Sequence, residues 1–306
     1  MDIATVINIV KLGRGLSYAT IIMYLLGSLF GILMGASFDV FKFVFGYIIV
    51  LTGVLGAVYT NSYYDVAIDT VATQTPISGG SKILVEHPEL KKTIWKAMIF
   101  LFGLSISLGL VFTILFSFPI TYFLLVIIAN FIAWSYTAPP LRLVYRGFGE
   151  ITTMFGIGIF MAGFGYFSMM GTIDLAFVLF SIPLLLLGFA FSFYVEIPDR
   201  DADRQGQKIT MVVRRDERFG FIIGSFLIAF AALCYGLFGA FCLFSVPANF
   251  FYIALFSLIP VVVAVWSLRT YLTDPSRMMP MVFRSAVGVL SVFIFTDAYF
   301  IYALIT

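Results

Sequence analysis

Charge is scarce in this 306-residue chain: 11% of its residues are Asp, Glu, Lys or Arg, where a soluble domain carries about 25%. Histidine occurs once and cysteine twice. One histidine, His87, set in a loop beside Glu86 and Pro88, cannot build a His-rich metal site and speaks against a Ser-His-Asp triad; it reads as a solvated loop residue. Cys234 and Cys242 share one apolar stretch, where helical rise would separate their backbones by about 12 Å, too far for a disulfide. They read as small core residues. The N-terminal stretch Met1 to Gly15, with Lys11 and Arg14 before a long apolar run, lacks a small-residue cleavage site, so a retained first helix is expected and no removable signal peptide.

What the chain has is apolar surface: 61% of its residues are hydrophobic and 18% aromatic, with a mean hydropathy of +1.06. The expected fold class is all-α, a polytopic membrane protein. Apolar stretches near the ~20 residues that cross a bilayer fall at 16–36, 43–64, 94–116, 119–137, 150–170, 175–197, 220–243, 248–268 and 283–304, which predicts nine transmembrane helices in a bundle. Gly27, Gly31 and Gly35 form a stripe that invites close helix approach.

With nine spans, every Lys and Arg except Lys42 falls on the side of the N-terminus. The positive-inside rule then expects a cell-membrane protein with its N-terminus in the cytoplasm and its C-terminus outside; eight or ten spans would scatter the charges. The loops 65–93 and 198–219 are long and charged, and long loops in compact proteins usually carry function. They are expected to form a cytoplasmic cap over the bundle.

Two acidic motifs sit at the edge of that cap. Asn61, Asp65 and Asp69 are spaced i, i+4, i+8, and Glu196, Asp199 and Asp203 are spaced i, i+3, i+7, so each set can share one helix face. Solvated helix ends explain any single carboxylate. Two sets on one side of a membrane, both beside basic loops, point further, because ionisable groups at membrane depth are functional by default. Gathered carboxylates repel one another; a hard divalent cation such as Mg²⁺ relieves this, and Mg²⁺ ions in turn hold a diphosphate. The recurrence of the motif after spans two and six suggests duplication of a four-helix unit within a single domain, 1–306.

The paired motifs resemble the signatures of the UbiA superfamily of intramembrane prenyltransferases, a likeness that covers the whole chain. Ser78-Gly-Gly-Ser-Lys82-Ile-Leu-Val, Tyr136-Thr-Ala-Pro-Pro and Tyr145-Arg146-Gly-Phe-Gly-Glu150 look most like the branch that prenylates 1,4-dihydroxy-2-naphthoate for menaquinone. Thr75 to Gly80 is intermediate between that branch and the archaeal lipid branch, whose acceptor is geranylgeranylglyceryl phosphate. Glu196 is a departure, since the superfamily more often has Asp or Asn there.

The resemblance implies Mg²⁺ held by Asn61, Asp65, Asp69, Glu196, Asp199 and Asp203, and an isoprenyl diphosphate, geranylgeranyl or similar, as one substrate. The other would be a lipophilic aromatic acceptor. Lys82 stands where a basic diphosphate contact is expected; Arg142, Arg146, Arg204 and Lys208 are further candidates, each with a plain alternative as a headgroup anchor. The implied chemistry is ionisation to an allylic cation followed by electrophilic alkylation, with Asp65, Asp199 and Tyr136 as the expected catalytic residues. Aromatic faces shield such a cation; Tyr63, Tyr64, Phe131, Trp134 and Tyr194 lie near the motif helices, but Tyr136, just before Pro139-Pro140, is the strongest candidate. A membrane transporter and a scaffold are the rival readings: transporter sites favour the midplane, and a scaffold gives no reason for the paired spacing. No nucleic-acid partner is expected.

Overall fold

The computed structural model describes residues 14–75 and 80–306; Lys11 and the stretch 76–79, which includes Ser78 and Gly79, lie outside the described residues. Described elements are all helical. They are α1 (Arg14–Leu33), α2 (Val40–Tyr64), α3 (Val66–Val71), α4 (Ile83–Glu86), α5 (Lys91–Leu115), α6 (Ile120–Ser135), α7 (Gly149–Met170), α8 (Leu175–Glu196), α9 (Arg200–Gln205), α10 (Met211–Arg214), α11 (Glu217–Ala240), α12 (Phe250–Thr273) and α13 (Met278–Ile305).

Each apolar stretch of the sequence falls on a helix. Among the described residues, α2, α5, α7, α8, α11, α12 and α13 are long and apolar enough to cross a membrane; α1 and α6 contribute shorter apolar helices. The protein is a multi-pass membrane protein. In hydrocarbon every backbone polar group must be satisfied internally, which is why these runs are helical. Polar caps end them where they leave it: Asp39 accepts from the Phe41 and Lys42 amides, Asp174 from Phe177, and Asn249 from Phe251.

Small residues and buried polar side chains set the packing. A Cβ on Gly27 would run into the Ala162 carbonyl, and one on Gly165 into the Tyr24 carbonyl, so α1 and α7 touch backbone to backbone. Gly31 packs on Met169 and Met170, whereas Gly35, at φ +106°, faces open space and ends the helix in a left-handed turn. The glycine stripe therefore divides into two packing positions and one turn. Across α2, α5 and α6, Asn130 Nδ2 donates to Ser105 Oγ at 3.0 Å, which donates to the Ile49 carbonyl at 2.9 Å, a hydrogen-bonded clasp of the kind that holds helices together in lipid. α7 is interrupted by a π-helical turn, Gly156–Met161.

The cysteine expectation needs a correction. Cys234 is buried, but Cys242 is exposed, because α11 stops at Ala240 and Cys242 sits in the following turn at φ +47°.

At one end of the bundle the segments after α2 and after α8 fold into short helices that touch. A Cβ on Gly206 would strike Ile68, and Ile68, Ala72 and Ala202 form a small apolar cluster with Tyr145 packed against it. Those contacts make the two loops one cap.

The α1–α7 contact gives a direct test. Gly27→Ala should lower the melting temperature of the detergent-solubilised protein, at a cost of about 1–3 kcal/mol for forced overpacking. Gly103→Ala, at a position where a Cβ meets nothing, should leave the melt unchanged.

Candidate functional site

Beneath the cap lies a cavity of about 220 Å³ whose wall includes Asn61, Asp65, Asp69, Glu196, Asp199 and Asp203. Six polar positions from two distant segments thus meet in one space. Local backbone explains how. α2 ends at Tyr64 and the chain breaks at Asp65, yet the amide of Asp65 still bonds the Asn61 carbonyl and that of Asp69 the Asp65 carbonyl, both at 2.9 Å. In the second segment Asp199 N bonds the Glu196 carbonyl at 3.1 Å and Asp203 N the Asp199 carbonyl at 2.8 Å. Helical spacing therefore survives the breaks, and each set keeps one face toward the cavity.

Lys208 ties the two sets together. Its Nζ lies 2.9 Å from Asp65 Oδ2 and 3.3 Å from Asp203 Oδ1, with its side chain only 13% exposed. Burial disfavours the ammonium, but Asp65 and Asp203 together outweigh that and raise its pKa above the ordinary lysine value. Burial lifts the Asp203 carboxyl too, against the pull of Lys208. Asp69 is pushed up to about 7, first by burial, then by the Asp65 charge. One ammonium is outnumbered by the carboxylates around it, so the cavity holds surplus negative charge in a poorly solvated place.

The rest of the wall orients these groups. Thr137 Oγ1 donates to Asn61 Oδ1 at 3.0 Å, and the Tyr145 hydroxyl donates to Asp65 Oδ1 at 2.8 Å. Burial and the Asp65 charge push the Tyr145 pKa up to about 12, which keeps the hydroxyl a donor. Gly80, at φ +65°, lies so close to the Asp69 carboxylate that a Cβ would collide with it. Tyr136 lines the cavity.

Other candidates stand apart from the wall. Lys82, left-handed at φ +54°, caps α4 and lies near enough to Asp69 to pull on its proton. Arg142 stacks its guanidinium on the Tyr145 ring, 4.0 Å from the centroid, and so reaches Asp65 only through that tyrosine. Arg146 is exposed and donates to the Pro140 carbonyl; Arg204 is exposed and donates to the Val213 carbonyl. Tyr63, Tyr64 and Trp134 cluster with Trp95 and Phe102 on the α2–α5–α6 flank, Phe131 faces outward, and Tyr194 is buried against Gly224 of α11. The sequence reading did not single out Thr153, Thr210, Ser62 and Val195, which also line the cavity; no spacing signal marks them.

The donor set suits a hard cation: carboxylates plus one side-chain amide oxygen. Among the described residues, no three His, Cys, Asp or Glu side chains are grouped tightly enough to hold an ion as they stand; Lys208 is paired with Asp65 and Asp203 there.

Comparisons with known proteins bear on the family and the fold. The model of the UbiA prenyltransferase family matches residues 20–287. A 1,4-dihydroxy-2-naphthoate octaprenyltransferase from Bacillus subtilis (strain 168) is 26% identical over 153 residues, a match that spans 50% of this chain and 48% of that protein. Two solved structures share the fold at 14% identity and a TM-score of 0.62: one from work on digeranylgeranylglyceryl phosphate synthase, covering 99% of both chains, and a UbiA homologue from Archaeoglobus fulgidus bound to GPP and Mg²⁺, covering 94% of this chain and 98% of that one.

Asp69 generates a pH prediction. Its folded pKa, about 7, lies above the ordinary 3.8, so between those values the folded state binds more protons than the unfolded state and stability falls as pH rises. Without divalent cation, the melting temperature of the wild type should fall relative to that of Asp69→Asn between pH 4 and pH 7; a constant difference would contradict the shift.

Proposed function

The chain belongs to the UbiA prenyltransferase family, and on that premise we propose that it transfers a prenyl group from an isoprenyl diphosphate to an aromatic acceptor, 1,4-dihydroxy-2-naphthoate. The observation that carries the reading is the convergence of Asn61, Asp65, Asp69, Asp199 and Asp203 on one cavity beneath the cap, with Glu196 at its wall. These residues would hold Mg²⁺. Bound there, Mg²⁺ neutralises the diphosphate and stabilises it as a leaving group.

The chain's own residues do the rest. Lys208, held between Asp65 and Asp203, would offer its ammonium to the diphosphate oxygens once Mg²⁺ relieves the carboxylates around it. Lys82 supplies a second point charge, suited to a diphosphate that rotates as it leaves. Asp65 and Asp199 stand at the centre of the two sets. Tyr145 keeps one Asp65 oxygen oriented, and Arg142 acts on the site through the Tyr145 ring; Arg146 and Arg204 contribute positive potential from the rim.

In the reaction the bond between the prenyl C1 and the diphosphate oxygen breaks, and its electron pair leaves with the diphosphate. The Tyr136 ring face steadies the allylic cation. The electron-rich acceptor carbon bonds to C1, and the ring then loses its proton to solvent, restoring aromaticity. A cavity of about 220 Å³ accommodates the head of the donor, so the isoprenoid tail extends between the helices toward lipid. The same proposal takes all nine apolar helices of chain 1–306 as crossing a cell membrane in a single unit, with the N-terminus and active site cytoplasmic and the C-terminus outside. The charge distribution and the repeated motif after α2 and α8 support that arrangement.

Purified protein with geranylgeranyl diphosphate should prenylate dihydroxynaphthoate only when Mg²⁺ is present. Product with geranylgeranylglyceryl phosphate instead would move the chain to archaeal lipid synthesis, and no product with either would remove the acceptor assignment. Asp65→Asn and Asp199→Asn should each lower turnover at least ~100-fold, as loss of a central electrostatic contact does, while leaving the protein extractable. Lys82→Ala should raise the KM for the diphosphate and leave that for the acceptor unchanged.

A further inference from the structure

Glu150 is the most buried carboxylate near the cavity, 0% exposed at the first turn of α7, yet it does not line the cavity wall. Two neighbours define its setting. One of its oxygens accepts a hydrogen bond from the backbone N–H of Met211, three residues after Lys208. One oxygen of Glu150 and one of Glu196 are buried without a hydrogen-bond partner among the described residues, and the two carboxyls are near enough to feel each other electrostatically.

Neighbouring backbone contacts run the same way. Ile209 N donates to the Val144 carbonyl at 3.2 Å, Val144 N donates to the Tyr136 carbonyl at 3.0 Å, and Arg214 packs so closely on Gly147, at φ +85°, that a Cβ there would touch its guanidinium. The segment between α6 and α7 is thereby strapped to the segment that carries Lys208. Glu150 is the buried side-chain anchor of that strap and the only one of these contacts that also reaches the acidic sets.

We infer that Glu150 is a positioning residue: it fixes the Lys208 segment and Glu196 relative to Asp65 and Asp203, so that Mg²⁺-dependent diphosphate binding depends on a side chain outside the cavity. The inference rests on the reading under Proposed function and adds to it a residue that sets the site without touching the substrate. Its logic is geometric. Lys208 reaches Asp65 and Asp203 at hydrogen-bond distance, and a shift of its backbone by an ångström would lose one or both.

The test compares wild type with Glu150→Gln, Glu150→Asp and Glu150→Ala in detergent, using geranyl S-thiolodiphosphate, an analogue that resists ionisation. Three quantities are read: the dissociation constant of the analogue with and without Mg²⁺, amide exchange across 208–213 without ligand, and the melting temperature. Glutamine retains the length and an oxygen acceptor for the Met211 amide, and its NH₂ can donate to Glu196; Asp retains the carboxyl group and falls short. The expected result is that Glu150→Asp and Glu150→Ala weaken Mg²⁺-dependent binding by about 10- to 100-fold, the usual effect of losing a side chain that orients ligands, and speed exchange at 208–213, while Glu150→Gln stays close to wild type in both. Wild-type affinity in folded Glu150→Asp or Glu150→Ala would overturn the inference, as would Glu150→Gln binding as weakly as Glu150→Ala. Wild type binding the analogue equally well without Mg²⁺ is a separate outcome, which overturns the functional reading and this inference with it.

Discussion

The structure depends on one electrostatic arrangement, the contact of the Lys208 ammonium with Asp65 and Asp203 inside a largely buried cavity. Charges brought out of water lose solvation that only close partners restore. Here a single cation stands among carboxylates that outnumber it, and the imbalance shows in Asp69, whose proton affinity is raised by burial and by Asp65. Its resting state is held by one lysine; in the proposed function the remaining negative charge is what Mg²⁺ would neutralise when a diphosphate binds.

Everything around the cavity can be read as support for that balance. The bundle supplies a low-dielectric wall, and the short helices α3 and α9 close over it through Ile68, Ala72 and Ala202. The break at Asp65 lets its carboxylate face both Tyr145 and Lys208. Glycine serves two unrelated ends: at Gly27 and Gly165 it lets α1 and α7 meet, and at Gly80 it leaves room for the Asp69 carboxylate. The first is a requirement of packing in lipid, where association relies on close contact, and the second belongs to the site.

Much of this was legible in the sequence, for physical reasons that also mark where legibility ends. Apolar runs of bilayer length have no alternative to helix, so the positions of α2, α5, α8 and the rest follow from composition. The acid sets were legible because helical hydrogen bonding continues through Asp65 and Asp199, preserving the spacing across breaks that spacing alone does not reveal. Lys208 was one basic candidate among several, and nothing local separates it from Arg204 four residues earlier: one turns inward to Asp65 and the other outward to the Val213 carbonyl because of how the cap folds. Glu150 was visible only as the end of a motif, since its partners, Met211 and Glu196, come from distant sequence. Cys242 misled because an apolar stretch does not show where its helix stops.

The central claim is that added cation charge completes this carboxylate cavity into a diphosphate site. It is tested most directly by titrating inorganic diphosphate into the detergent-solubilised protein by calorimetry near pH 7, with Mg²⁺ and with a chelator. The account predicts binding only with Mg²⁺. Equal binding in the chelator would contradict it.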